Sequence, residues 1–453
     1  MSKKFYIILT AVFALFSITT MAISQIDRKT KDDLYSQIEL FSYALTTIQA
    51  DYVDEKTPKD LIYGSLKGML SALDPHSQFL DPEDYAELKT ETQGKFGGLG
   101  IEISIRDGLL TVITPLEDTP AWKIGVKAGD RIVKIEKELT RDLTLNDAVK
   151  KLRGVPGSEV NITVLREGES KLLDFKIIRE VIHVQDVKYT QILEDKIGYV
   201  HLAEFREDSA TEFRKALDQL KKDGADSLIL DLRNNPGGLL NVAIRITEEF
   251  ITPGQIIVST KGRHQSENTI TYSNNKDHLI DWPMVVLINE GSASGSEILA
   301  GALKDNKRAI LVGVKSFGKG SVQSVIPLPD GSGLRLTTSK YFTPSGISIH
   351  EKGIIPDVVV EPKARKEEEK EEKNGKDEKE QSVEKVFDKV TLDETKDPEK
   401  LKQDKKAEEV KQRLLNDIQV QTAINVLKGI RVFKKFDGTA ATPVVAQSED
   451  NKT

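Results

Sequence analysis

The sequence predicts a multidomain protein of mixed α+β and α/β class, and three patterns along its 453 residues predict it. Apolar residues recur at three- and four-residue steps over residues 30–91, which is typical of helices. Short segments rich in β-branched residues and separated by glycines fill residues 96–178. Strand and helix patterns then alternate over residues 181–361, and this βαβ rhythm predicts a parallel or mixed sheet with helices packed on it.

Composition indicates a soluble globular body with charged surfaces or tails, since 38% of the residues are hydrophobic and 30% are charged. The formal net charge is -7, from 65 basic and 72 acidic residues, which argues against a dedicated nucleic-acid binder with a basic face. The chain has no cysteines, so disulfides, thiolate metal sites and a cysteine nucleophile are excluded.

The first 24 residues have the pattern of an export signal. Two lysines precede an apolar run from Phe5 to about Ile23, and the small residues Ala22 and Ser24 are suitably placed for cleavage. The run is also close to the roughly 20 apolar residues that span a bilayer, so an uncleaved anchor is the alternative. Both interpretations predict an exported protein, periplasmic or in the cell envelope, and the second adds anchoring to the inner membrane through this segment.

A serine at the start of an apolar helix is the strongest local candidate for chemistry. In VVLINEGSASGSEILAGAL a buried strand ends at Asn289 and a helix begins near Gly295, which places Ser294 at the helix N-terminus. Reactive groups of open α/β sheets gather beyond the carboxyl ends of the strands. Amides at the helix start can stabilise an oxyanion there. Ser294 followed by Glu297 also matches a capping box, however, which needs no function.

A lysine in a glycine-rich loop is the candidate base for such a serine. Lys319 lies between Gly318 and Gly320, and Gln323 is placed to accept a hydrogen bond from it. Desolvation lowers the pKa of a lysine and makes it a base, although a lone loop lysine can also be a solvated surface charge. The segment GVKSFGKG nearly matches a phosphate-binding loop as well, but Gly320 replaces the hydroxyl residue that holds Mg²⁺ there.

A third turn, RNNPGG, joins the buried strand pattern LILDL to a helix that begins near Leu239. Gly237 or Gly238 can direct a backbone N–H at a developing oxyanion, although a tight strand-to-helix turn uses the same residue types. Each of the three segments is a weak signal by itself, and their combination in one chain indicates an enzyme.

In order along the chain, LDPHSQFL, DLRNNPGG, SASGSE, SFGKGSVQ and YFTPSG resemble the carboxyl-terminal processing (tail-specific) protease family. The resemblance implies a crotonase-like α/β protease core with Ser294 as nucleophile, Lys319 as general base and Gln323 as the partner that orients the lysine. It also implies oxyanion-hole amides from Gly295 and Gly237, an acyl-enzyme intermediate, and neither a metal nor a cofactor. The family usually has alanine where this chain has Gly295.

The β-rich segment resembles a PDZ domain. Its FGGLGIEI matches the glycine-rich carboxylate loop and the strand that pairs with a peptide, although a plain glycine turn into a strand looks the same. Such domains add the ligand as an extra strand and hold its terminal carboxylate on backbone N–H groups. The expected partners are therefore protein or peptide substrates with exposed C-terminal tails. The expected peptide-binding residues are Gly97, Gly98, Leu99, Gly100 and Ile101.

Together the patterns predict a serine endopeptidase that cleaves exported proteins near their C-termini. The alternatives are a catalytically inactive PDZ-bearing binding or scaffold protein and a nucleotide-binding protein; homo-oligomer formation stays open. The predicted segments are a signal peptide or membrane anchor (1–24), a helical N-terminal segment (25–95), a PDZ domain (96–180), the Ser–Lys protease core (181–362), a charged low-complexity linker (363–406), a C-terminal amphipathic helix (407–435) and a flexible tail (436–453).

Overall fold

The computed structural model describes residues 33–169, 171–275, 280–362 and 408–439. The predicted signal or anchor, the charged linker and all but the first residues of the predicted tail lie outside these ranges. Within them, no helix is long and apolar enough to cross a membrane. The chain divides into two units, Met1–Pro82 with Ser324–Leu336 and Glu83–Gln323 with Thr337–Thr453.

The helices and strands of the described chain have the following bounds. The helices are α1 (33–51), α2 (Pro58–Ser71), α3 (Pro82–Gln93), α4 (Pro120–Lys123), α5 (Leu145–Leu152), α6 (Ser209–Lys222), α7 (Leu240–Thr247), α8 (Gly295–Asp305), α9 (408–415) and α10 (Ile418–Thr439). The strands are β1 (Gln78–Leu80), β2 (Lys95–Gly98), β3 (Ile101–Arg106), β4 (Leu109–Pro115), β5 (Arg131–Ile135), β6 (Glu138–Leu139), β7 (Glu159–Leu165), β8 (Leu173–Ile178), β9 (Glu180–His183), β10 (Val187–Ile192), β11 (Ile197–Leu202), β12 (Ser227–Asp231), β13 (Ile256–Gly262), β14 (Thr269–Tyr272), β15 (Met284–Ile288), β16 (Ile310–Gly313), β17 (Ser321–Pro327), β18 (Gly333–Phe342) and β19 (Val358–Val359).

The first unit contains α1, α2 and β1. Helix α2 begins after Thr57, whose hydroxyl oxygen accepts from the Asp60 amide at 3.1 Å, and proline occupies its first turn. Strand β1 pairs antiparallel with the first residues of β18. Phe79 of β1 is buried and its ring meets that of Tyr63 edge-on, so this small unit has an aromatic contact at its centre.

In the second unit, a β-rich module has its own core. Its antiparallel sheet has the order β3-β4-β5-β7-β8, which leaves β3 at one edge. Helix α5 begins with a capping box between Thr144 and Asp147. Strands β2 and β9, which enter and leave the module, pair with each other as a two-stranded ribbon. The buried residues of the core come from both the sheet and the helices, including Val112, Ala121, Ile132, Ala148, Val160 and Ile162.

The rest of the second unit is built on a six-stranded sheet of order β10-β11-β12-β15-β16-β19. All pairs are parallel except β10 with β11. Every residue of β12 and β15 is buried, as expected of parallel strands covered on both faces. The carboxyl ends of β12, β15 and β16 meet at one edge, where ligands of such sheets bind. The turns that follow these three strands carry the predicted catalytic segments.

The two faces of this sheet are covered by different parts of the chain. Residues of α6, α7 and α8 share a core cluster with one face. The other face packs against α10, which comes after the charged linker. The predicted C-terminal amphipathic helix is thus two helices that meet at Asp417, and its apolar side is used within the chain.

Candidate active site

Ser294 precedes α8 in a backbone conformation that residues other than glycine rarely adopt. Its φ is 51° and its ψ is -110°, whereas a capping residue ordinarily has extended dihedral angles. Such a conformation costs about 1–3 kcal/mol and is concentrated at functional sites. A strained serine between a strand and a helix is the arrangement that exposes a nucleophile in other hydrolases. Capping alone therefore does not explain this residue.

One carboxylate joins the turn of Ser294 to the loop of Lys319. Oε2 of Glu297 accepts from the backbone amides of Ser294 and Lys319, both at 2.9 Å. Oε1 accepts from the Gly318 amide and the Ser316 hydroxyl, both at 2.6 Å. Burial raises the pKa of Glu297, and these hydrogen bonds act in the opposite direction. Glu297, which the sequence marked only as the partner in a capping box, is thus the link between the two predicted catalytic segments.

The loop of Lys319 has no room for a side chain at position 320. A Cβ on Gly320 would lie 2.1 Å from the backbone nitrogen of His350, and the Gly320 carbonyl accepts from the Tyr341 amide at 2.7 Å. The serine or threonine of a phosphate-binding loop cannot stand here. Strand β17 follows instead of the helix that such a loop opens. The segment is therefore not a phosphate-binding loop, and the nucleotide-binding alternative loses the motif on which it depended.

Gln323 lies on β17, four residues after Lys319. Among the described residues, its Nε2 is buried without a hydrogen-bond partner, and so is the hydroxyl of Ser321 two positions earlier. Unpaired buried polar groups are rare and call for an explanation, such as a ligand or water at a functional site. Its predicted role in orienting Lys319 stays a prediction.

The turn that contains Gly237 and Gly238 lies directly against Ser294. A Cβ on Gly237 would lie 2.7 Å from the Ser294 Cβ and 2.8 Å from the Gly295 nitrogen. The Gly237 amide, however, already donates to Oδ1 of Asn235 at 2.9 Å. In the described part of the chain, the amides of Gly238 and Gly295 have no hydrogen-bond partner. The role of Gly237 as an oxyanion donor stays a prediction, and Gly238 is the neighbouring candidate because the single N–H of Gly237 already has an acceptor.

Asn235 is a site residue that the sequence analysis passed over. Besides holding the Gly237 amide, its Nδ2 donates to the Leu202 carbonyl at 2.8 Å. Its own carbonyl accepts from the Ala293 amide at 3.0 Å and the Ser296 hydroxyl at 2.9 Å. An asparagine two residues before a glycine is the usual sequence of an Asx turn, and that signal could have identified it.

A separate groove runs beside β3, the edge strand of the β-rich module, with a volume of about 210 Å³. Gly100 has a φ of 75°, and a Cβ there would lie 2.2 Å from the Thr119 Cβ. Gly97 does not line the groove, because its Cβ position faces the Gly154 carbonyl at 1.9 Å. The residues lining the groove are Phe96, Gly98, Leu99, Gly100, Ile101, Ile103, Val149, Leu152 and Arg153, which include four of the five predicted peptide-binding residues.

Two parts of the chain match models of known protein families. A model of peptidase family S41 matches residues 196–360, and a model of the PDZ domain matches residues 111–166. A carboxy-terminal-processing protease of Bartonella bacilliformis is 42% identical over 80% of this chain and 83% of its own length. A carboxyl-terminal-processing protease of Picosynechococcus is 41% identical over 67% of this chain and 73% of its own length.

Among solved structures, the photosystem II D1 C-terminal processing protease is 30% identical with a TM-score of 0.43, over 71% of this chain and 92% of that one. Family membership follows from the sequence identity to the two curated relatives, which extends over most of their length. The chain belongs to peptidase family S41, as a serine protease of the carboxy-terminal processing group that carries a PDZ domain.

Proposed function

We propose that the protein is an exported endopeptidase that cleaves proteins near their C-termini with a Ser294–Lys319 dyad. The observation that carries this proposal is the buried carboxylate of Glu297, which accepts from the amides of both Ser294 and Lys319. A single acceptor thus fixes the relative position of a strained serine and a glycine-flanked lysine at the carboxyl edge of a parallel sheet.

In the proposed reaction, the neutral amine of Lys319 takes the proton from the Ser294 hydroxyl as its oxygen attacks the scissile carbonyl carbon. The tetrahedral oxyanion accepts from the open amides of Gly295 and Gly238. When the C–N bond breaks, Lys319 gives the proton to the leaving amine, and the acyl group stays on Ser294. Water then attacks this ester with Lys319 again as base. Gln323, with its buried amide group, orients the lysine in this proposal.

Substrate selection is assigned to the groove beside β3. A peptide tail adds to β3 as a further antiparallel strand, and the loop from Gly98 to Gly100 presents backbone N–H groups to its terminal carboxylate. The apolar lining, with Leu99, Ile103 and Val149, suits an apolar side chain at the end of that tail.

The proposal extends to architecture, location and assembly. We assign the sheet-and-helix core to the crotonase-like class and residues 1–24 to export, as a signal peptide or an inner-membrane anchor. Helix α1 supports a homo-oligomer, because Leu34, Ile38 and Phe41, which share one face of the helix, are 59%, 52% and 42% exposed. Sedimentation of the protein with these three residues changed to serine tests the last point, and an unchanged molecular mass would remove it.

The function is tested by incubating the exported protein with a peptide that ends in a small apolar residue, and with the same peptide amidated at its C-terminus. Ser294→Ala and Lys319→Ala should each abolish cleavage, read by the mass of the products, while the unfolding temperature changes little. The amidated peptide should be cleaved at least about tenfold more slowly, because the terminal carboxylate is lost. Cleavage by Ser294→Ala would refute the mechanism.

A further inference from the structure

Arg233, the first residue of the RNNPGG turn, joins this turn to the C-terminal helices. Its Nη1 donates to Oδ2 of Asp417 at 2.7 Å and to Oε1 of Gln419 at 2.8 Å. Its Nε and Nη2 donate to Asp231, at the end of β12, at 3.0 Å and 2.7 Å. The Arg233 side chain is only 15% exposed, so this network is largely shielded from water and is costly to leave half-formed.

The two acceptors from the C-terminal segment are themselves held in place. Oδ1 of Asp417 accepts from the amides of Gln419 at 2.8 Å and Val420 at 3.3 Å, which caps the start of α10. The side-chain amide of Gln419 donates to the Val360 carbonyl at 2.7 Å, and Gln419 is buried. These acceptors therefore form a fixed anchor for Arg233 rather than a mobile one.

The first half of α10 is held against the sheet. At the middle of the helix, about three turns from Asp417, Lys428 pairs with Glu194 at 2.7 Å and Asp195 at 3.0 Å. Its apolar side packs on the strands that carry the catalytic turns. The buried residues of this contact are Val420, Ala423, Ile424 and Leu427 from α10 and Tyr199, Ile229, Val285 and Leu287 from the sheet.

The RNNPGG turn is also hydrogen-bonded to the segment that leads from β15 to Ser294. The Asn234 amide donates to Oδ1 of Asn289 at 2.8 Å, and the Asn235 carbonyl accepts from the Ala293 amide at 3.0 Å. The RNNPGG turn is thus held from two sides. Residues 289–293, which precede Ser294, hold it on one side, and the C-terminal helices hold it through Arg233 on the other. Because Gly238 follows within three residues of Asn235, both anchors decide where its open amide points.

We propose that Asp417 and Gln419 are positioning residues for peptide hydrolysis, which fix the oxyanion amide of Gly238 through Arg233. This inference rests on the proposed roles of Ser294 and Gly238. It makes the C-terminal helices, which the chain reaches only after the charged segment 363–406, part of the catalytic unit. Since the oxyanion exists only after attack, the effect falls on kcat and leaves KM unchanged.

The test compares Asp417→Asn and Gln419→Ala with Lys428→Ala, which breaks an ion pair of the same helix away from the turn. Asp417→Asn and Gln419→Ala should lower kcat about tenfold at constant KM, the loss expected for a displaced oxyanion donor. Lys428→Ala should keep kcat within about twofold, and its unfolding temperature should fall less, because the ion pairs that it breaks are partly exposed. A loss of kcat that follows the unfolding temperature equally in all three variants would overturn the proposal.

Hydrogen–deuterium exchange of the backbone at residues 232–240 gives a second readout that needs no activity. Exchange should be faster in Asp417→Asn than in the wild type and unchanged in Lys428→Ala. Unchanged exchange in Asp417→Asn would show that Asp417 does not order the RNNPGG turn and would overturn the proposal. Should Ser294→Ala prove as active as the wild type, the proposed function fails, and the exchange experiment still decides whether Asp417 orders the turn.

Discussion

The groove of the PDZ module and the candidate catalytic centre differ in the groups on which they depend: mainly main-chain groups in the groove and side chains in the catalytic centre. The groove offers main-chain groups along the edge strand β3 and in a loop whose Gly100 has a φ of 75°, and apolar side chains line it. The candidate catalytic centre depends on two reacting side chains, and one buried carboxylate, that of Glu297, holds their segments together by accepting four hydrogen bonds.

This difference follows from what each site recognises. A strand edge pairs with the backbone of a tail whatever its side chains are, so the groove tolerates varied ligands. The proposed proton transfer between Ser294 and Lys319 requires the two side chains to be aligned within hydrogen-bond reach. Changes in the groove should therefore act on KM, and changes around Glu297 on kcat.

Among the changes that test this difference between the two sites, the largest expected effect comes from Glu297→Gln. The substituted amide turns an N–H₂ group towards two of the four donors that the carboxylate accepts, and each unpaired donor costs about 1–3 kcal/mol. We expect kcat to fall about 100-fold, since about 1.4 kcal/mol corresponds to a factor of ten. Steady-state kinetics measure the change. Glu159→Gln, which removes an exposed pair with Lys176, is the control, and equal kcat in both variants would contradict the role of Glu297.

A smaller effect is expected from Gly100→Ala in the groove. A Cβ there would lie 2.2 Å from Thr119, so the loop must move, and KM for a tail-bearing peptide should rise about tenfold at constant kcat. Gly108→Ala is the matched control, because Gly108 has a φ of 74° with nothing within 4 Å of its Cβ position. If both variants raise KM equally, backbone strain rather than the groove is responsible.

The smallest expected effect is a pH dependence of kcat/KM and of stability through Glu297. Burial raises the pKa of Glu297 above its ordinary value of 4.5. Protonation replaces an acceptor with an O–H, so kcat/KM should fall as the pH drops through this raised pKa. Stability moves the other way. A raised pKa in the folded state favours folding most below the unfolded pKa and loses this contribution as the pH rises through the folded value. Denaturation of the wild type and Glu297→Gln at several pH values measures it, and a pH-independent difference would contradict it.

Local patterns predicted much of the candidate site. The small-residue turn after a buried strand placed Ser294 at the start of α8, and the strand-like residues after Lys319 anticipated β17. These predictions succeed because strand endings and turn residues are written in adjacent positions. The sequence analysis used Gly320 as evidence against a phosphate-binding loop, because glycine lacks the hydroxyl group that holds Mg²⁺. The structure shows why this position has glycine: the backbone of His350 occupies the space that a side chain would need.

Contacts between distant residues could not be predicted in this way. Arg233 and Asp417 are 184 positions apart, and no periodicity connects them across the charged segment. The choice between Gly237 and Gly238 depends on where the side chain of Asn235 points, and residue type alone leaves this open. The sequence showed that α10 has an apolar side. It did not show that this side covers one face of the six-stranded sheet.

The position of α10 in the chain has a consequence for the timing of biosynthesis. A ribosome completes every strand of the catalytic sheet before it reaches residues 408–439. Until then one face of the sheet is bare and Arg233 lacks Asp417 and Gln419. On the proposed roles of Asp417 and Gln419, a nascent chain carries Ser294 and Lys319 without an ordered oxyanion site until residues 408–439 have been made.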